Sequence, residues 1–70
     1  MTTTHKLNIE YRGDDGTGYK QAAMVVLNEH GGCTRAVPPV ARNIADQVAR
    51  GVQSGRAWLG YGVLTFEVQQ

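Results

Sequence analysis

The chain has 70 residues, enough for one small domain and too few for two cores. Seven Lys and Arg against six Asp and Glu give a formal charge of +1, which on bulk charge excludes a strongly basic nucleic-acid binder and an acidic nucleic-acid mimic. Hydrophobic residues at 41% with charged ones at 19% fit a folded globule and not a disordered tail, and the longest apolar run, Ala22 to Leu27, is too short to span a membrane.

Residues 1–70 read as a single small domain in which residues 1–4 are expected to be a disordered arm. The segment Met1 to Lys6 has no apolar stretch of the kind a signal peptide carries, so a small natural reading frame without a leader is expected. The lone cysteine, Cys33, cannot form an intramolecular disulfide, and small secreted domains usually depend on such staples. A cytoplasmic location is therefore expected.

Residues 5–12 alternate with period two. Leu7, Ile9 and Tyr11 point one way and Lys6, Asn8, Glu10 and Arg12 the other, which predicts a strand with one buried face. Gly13 to Gly18 holds three glycines and two aspartates and reads as a hairpin turn. Residues 19–28 read as the second strand. Setting Arg12 opposite Tyr19 places Ile9 against Ala22 and Leu7 against Met24, whereas a slip of one residue sets Ile9 against Gln21, so the first register is preferred.

Glu29 to Gly32 is a loop, and Cys33 to Val37 reads as an extended segment or short extra strand. Pro38-Pro39 then opens a helix expected to run to about Ser54. At about 100° per residue, Val40, Ala41, Ile44, Ala45, Val48, Ala49, Gly51 and Val52 share one half of the wheel, and Arg42, Asn43, Asp46, Gln47, Arg50, Gln53 and Ser54 the other. Residues 56–69 read as one final strand, with Gly60 and Gly62 on one face. Ala41, Ala45 and Ala49 would pack over those glycines.

The predicted fold is an α+β two-layer sandwich, a three-stranded sheet, or four-stranded with Cys33–Val37, mainly antiparallel, with one amphipathic helix in the order ββαβ. The helix covers the face carrying Leu7, Ile9, Met24, Val26, Trp58, Leu64 and Phe66. The opposite face keeps Ala23, Val25, Leu27, Leu59, Tyr61 and Val63. If several of these cluster, the patch is on the order of several hundred Å², the size that marks an interface, unless the N-terminal arm or the 29–37 segment folds over it.

Catalytic and cofactor chemistry finds little purchase. His5, His30 and Cys33 are the soft metal ligands; His30 and Cys33, even joined by Asp14 or Asp15, lack the second closely spaced pair that a zinc site needs. A His30–Cys33 nucleophile pair is separated by flexible Gly31-Gly32 and has no third group to orient it. Ser54 is the only serine, and Asp14-Asp15 sit in a wet turn where nothing raises a carboxyl pKa. Gly13-x-x-Gly16-x-Gly18 lacks the Gly-Lys-Ser/Thr and the following helix of a phosphate loop, and it does not lie between helices as the backbone clamp of a KH domain does. No catalytic residue, metal, cofactor or small-molecule substrate is expected.

The expected function is therefore a non-enzymatic protein-interaction module: a homodimer, or a small inhibitor or adaptor binding a larger protein through Leu59, Tyr61, Val63, Val25 and Leu27. Staple-free domains of this size, without catalytic groups, are of the kind that phages and mobile elements aim at host proteins, defence complexes included. Size alone carries that expectation. The alternative is a small nucleic-acid accessory protein, or a binder of an acidic partner, using Arg42 and Arg50 on the helix with Arg35 and Arg56. Asp46 lies four residues from each helical arginine and thins that phosphate footprint.

Overall fold

A computed structural model describes residues 1–69. It is an α+β domain with five strands, β1 (Thr3–Gly13), β2 (Gly18–Leu27), β3 (Cys33–Val37), β4 (Ser54–Trp58) and β5 (Gly62–Val68). One helical segment stands between β3 and β4: a 3-10 stretch, Pro39–Ile44, followed by a short α-helix, α1 (Ala45–Ala49). The sheet order is β3-β2-β1-β5-β4 and every neighbouring pair is antiparallel. The described residues thus form five strands in the order βββαββ, not three or four in the order ββαβ. No helix among the described residues is long and apolar enough to cross a membrane.

Three local features separate this architecture from the sequence expectation. First, the β1–β2 register is the one set aside above: Ile9 pairs with Gln21, Leu7 with Ala23, and Arg12 with Gly18. Since a slip of one residue reverses every side chain of a strand, Ala23, Val25 and Leu27 join Leu7 and Ile9 on the covered face. Met24 and Val26 move to the open one. β1 also begins at Thr3, paired with Leu27, ahead of the alternating stretch 5–12.

Second, the expected final strand is a hairpin. Gly60 and Tyr61 form a two-residue loop, closed by the Leu59 N–H donating to the Gly62 carbonyl at 2.9 Å. Gly60 comes first with φ +87°, the residue order a type II′ turn requires. Trp58 consequently sits on the open face, 76% exposed, and not in the core. Third, the helix stops at Ala49 and not near Ser54. Gly51 (φ +86°) turns the chain just beyond it, with its N–H donating to the Val48 carbonyl at 3.0 Å.

The helix begins where β3 ends and doubles back beside it, bringing Ala49 next to Gly31 at the far end of that strand. Its buried face is Ala41, Ile44, Ala45 and Val48, as the wheel indicates, but Ala49 is exposed and no alanine ridge lies over Gly60 or Gly62. The close approach falls instead at Gly55. A Cβ there would stand 2.6 Å from Gln47 Oε1 and 3.1 Å from the Phe66 ring. Gln47 Nε2 also donates to the Arg56 carbonyl at 2.9 Å, tying the helix to β4.

The core is Leu7, Ile9, Ala23, Val25, Leu27, Leu64 and Phe66 from the sheet beneath those four helical residues. Lengths then decide what is covered. Six 3-10 residues and five α residues extend about 20 Å. β1, with 11 residues, runs about 35 Å, and the molecule measures 40 Å along its long axis. A helix of this length, starting midway along the β1–β2 hairpin, leaves the hairpin's turn end bare on the core side.

Candidate functional site at the tyrosine end of the sheet

The uncovered stretch holds all three tyrosines. Tyr11 and Tyr19 are directly paired across β1 and β2, with ring centroids 5.4 Å apart and planes tilted by 31°. Tyr61, from the β4–β5 loop, stands 6.1 Å from Tyr11 at 51°. Tyr11 is half-buried against the core, whereas Tyr19 is 42% and Tyr61 61% exposed. The trio is one contiguous aromatic surface centred on Tyr11.

Two glycines make room for it. Gly13 and Gly62 face each other across β1 and β5, and a Cβ on either would lie within 3.0 Å and 2.8 Å, respectively, of the Tyr11 hydroxyl oxygen. At Gly62 the same Cβ would also meet the Arg12 carbonyl oxygen at 2.5 Å. The ring tip therefore lies over bare backbone, which fixes its direction. The Tyr11 O–H donates to the Tyr61 carbonyl at 3.4 Å, and the Asp14 N–H donates to the same oxygen at 3.0 Å. These bonds tie the β1–β2 turn to the β4–β5 loop.

The turn is itself braced. Asp15 Oδ1 accepts from the Thr17 N–H at 3.1 Å and from the Thr17 hydroxyl at 2.6 Å, and these bonds hold its carboxyl below the usual aspartate range. The Gly13 N–H donates to the Thr17 carbonyl at 2.7 Å, and Gly16 supplies the positive φ of +87°. Partial burial, followed by Asp15, Tyr61, Asp14 and Tyr19, pushes the Tyr11 phenol above its ordinary value. Its neighbourhood is therefore aromatic and negative.

The residues expected at a partner surface are dispersed. Val25 and Leu27 are buried under the helix, 0% and 5% exposed, because the register places them on the covered face. Leu59 packs half-buried against the core. Val63 lies half-buried on the open face, opposite Arg12. Tyr61 alone reaches the tyrosine surface. The open face does carry apolar side chains, but Met24, Val26 and Val37 on β2 and β3 are separated from Val63 and Trp58 by the polar row Lys6, Asn8, Glu10 and Arg12 of β1.

The arginines are likewise dispersed. Arg35 and Arg56 stand on the two edge strands of the open face, while Arg42 and Arg50 belong to the helical layer. Arg42 donates to the Cys33 carbonyl at 3.2 Å. Among the described residues neither it nor Arg50 forms an ion pair with Asp46. His30, beside Glu29, and Cys33, whose thiol donates to the Arg35 carbonyl at 3.4 Å, lie at the opposite end of β2 from Asp14 and Asp15. The described residues contain no group of three or more His, Cys, Asp or Glu side chains placed to hold a metal ion. Comparison with known protein families, curated proteins and solved structures gives no match to the chain.

Proposed function

We propose that the protein is a non-enzymatic interaction module that docks a partner protein on its tyrosine end. The observation that carries this reading is the contiguous trio Tyr11, Tyr19 and Tyr61, braced by two glycines and two hydrogen bonds to one carbonyl, yet with two rings exposed. Tyrosine offers a large apolar area at low conformational cost together with a polar tip, which is why it anchors interfaces. A surface held in place before the partner arrives loses little entropy on binding.

A second copy suits this surface less well than a different protein. A two-fold contact sets each patch against itself, and here that would bring two copies of Asp14 and Asp15 together. Arg42 and Arg50 on the helical layer are divided by the sheet from Arg35 and Arg56, which stand on the open face with Lys6, Arg12 and Lys20 interleaved with Glu10 and Glu67. The arginines of the nucleic-acid reading therefore do not form one footprint, and the interaction reading, carried by the tyrosine end, is favoured.

Partner capture from the source cells tests the proposal. The wild-type chain and the double variant Tyr19→Ser/Tyr61→Ser are compared at equal helix and sheet content by circular dichroism. The expected result is a protein retained by the wild type and lost by the variant. Retention of the same protein by both, or by neither, contradicts the reading.

A further inference from the structure

Resting on the interaction reading above, we propose that the partner presents an arginine-bearing segment, its guanidinium stacking on the exposed rings of Tyr19 and Tyr61 beside the carboxylates of Asp14 and Asp15. Charge complementarity on the core side of the hairpin end supports this. The charged groups beside Tyr11 there are the carboxylates of Asp15 and Asp14, set among the rings of Tyr61 and Tyr19. The nearest cations in sequence, Arg12 and Lys20, point to the opposite face by strand alternation, where Arg12 Nε pairs with Glu10 Oε2 at 3.5 Å.

Geometry sets the carboxylates at the rim of the rings. Asp15 Oδ1 and the Tyr11 hydroxyl flank Gly13, at 2.8 and 3.0 Å from the place a Cβ would take. The Asp14 backbone is held against the Tyr61 carbonyl. Aromatic faces attract cations, and the planar guanidinium both stacks on a ring and offers a fork of donors to a carboxylate, which a lysine ammonium does not. The same carboxylates repel phosphate.

The test titrates the 15N-labelled full chain with a capped peptide, Gly-Ser-Arg-Gly-Arg-Ser, and with two analogues carrying citrulline or glutamate in place of arginine. The arginine peptide alone is expected to shift the amides of Asp14, Tyr19 and Tyr61. Asp14→Asn/Asp15→Asn keeps the Oδ1 acceptor that Thr17 uses and should weaken binding about three- to tenfold, whereas Tyr19→Phe keeps the ring face and should retain it. Equal shifts with citrulline, no shift at these amides, or unchanged binding by the Asp14/Asp15 variant overturns the proposal. Loss of the captured partner by Tyr19→Ser/Tyr61→Ser but not by Asp14→Asn/Asp15→Asn leaves the interaction reading standing and removes the arginine. Retention by both variants removes both.

Discussion

The two ends of the β1–β2 hairpin carry similar strand pairing and opposite surfaces. At the loop end, the core-side residues Leu7, Val25 and Leu27 lie beneath Ala41, Ile44, Ala45 and Val48 and are almost wholly hidden. At the turn end, the same side carries Tyr11, Tyr19 and Tyr61, and no helix reaches them. The difference comes from where the helix starts and stops: after β3, which ends opposite Met24, and before Gly51, whose positive φ breaks it. A helix continuing to about Ser54 would extend past the loop end and still leave the tyrosines bare. Fold stability is thus concentrated at one end and a braced, open aromatic surface at the other.

Removing a core side chain from the covered end should give the largest effect. Ile44 and Leu64 are 0% exposed, and Ile44→Ala or Leu64→Ala should each cost about 2–5 kcal/mol by urea unfolding. A loss below about 1 kcal/mol at both positions would mean that the helix is not seated on the sheet as described.

Gly62→Ala comes next. Its Cβ meets backbone, the Arg12 carbonyl, as well as the Tyr11 hydroxyl, so the two strands must part or the ring must swing away. A cost of about 1–3 kcal/mol is expected, together with a changed near-ultraviolet tyrosine signal. The contrast is Gly60→Ala, which meets nothing within 4 Å and pays only for its positive φ of +87°, about 1 kcal/mol. Equal effects at the two glycines would remove the close approach that fixes Tyr11.

Much of the covered end is legible in the sequence, and the turn end is not. β1, the Gly13–Gly18 turn, the helix start at Pro39 and the inward helical residues Ala41, Ile44, Ala45 and Val48 all follow from periodicity and from proline and glycine chemistry. The tyrosine trio needs two facts that pattern does not supply. One is the β1–β2 register: Ala22 to Leu27 is apolar throughout, so neither register leaves a polar residue inside the strand's hydrophobic half, and Gln21 is tolerated beside Ile9 because it lies where the helix no longer covers the sheet. The register preferred from the sequence, with Arg12 opposite Tyr19, puts Tyr19 on the face opposite Tyr11. The other fact is the break at Gly60-Tyr61. Alternation continues through both halves, and a single glycine marks the turn, so 56–69 reads as one strand. The helix end is misread for a related reason. Gly51 falls on the apolar side of the wheel and looks like an interior residue, whereas its backbone conformation ends the helix.

Substitution of the exposed rings sharpens the comparison from the other side. Tyr61→Ser should change stability by no more than about 0.5 kcal/mol, in contrast to the covered end, while abolishing partner capture. A loss comparable to that of Leu64→Ala would make Tyr61 a core residue.

The smallest effect expected is on pH dependence. The Tyr11 phenol is raised by partial burial and by Asp15, Tyr61, Asp14 and Tyr19, so the folded state holds that proton more tightly than the unfolded chain. Its contribution is full below the ordinary tyrosine range and is lost as pH rises through the folded value. Tyr11→Phe should therefore show less alkaline destabilisation than the wild type in melting experiments followed by circular dichroism. An identical alkaline slope would place Tyr11 in an ordinary aqueous setting.

Solvent paramagnetic relaxation with an inert soluble gadolinium chelate, recorded on the free protein alongside its solution mass, tests the contrast between the two ends most directly. The account predicts a 7.6 kDa monomer in which the rings of Tyr19 and Tyr61 relax strongly while the methyl groups of Leu7, Val25 and Leu64 are nearly untouched. Tyrosine rings shielded to the level of those methyl groups, in a monomer or in a dimer, would contradict it.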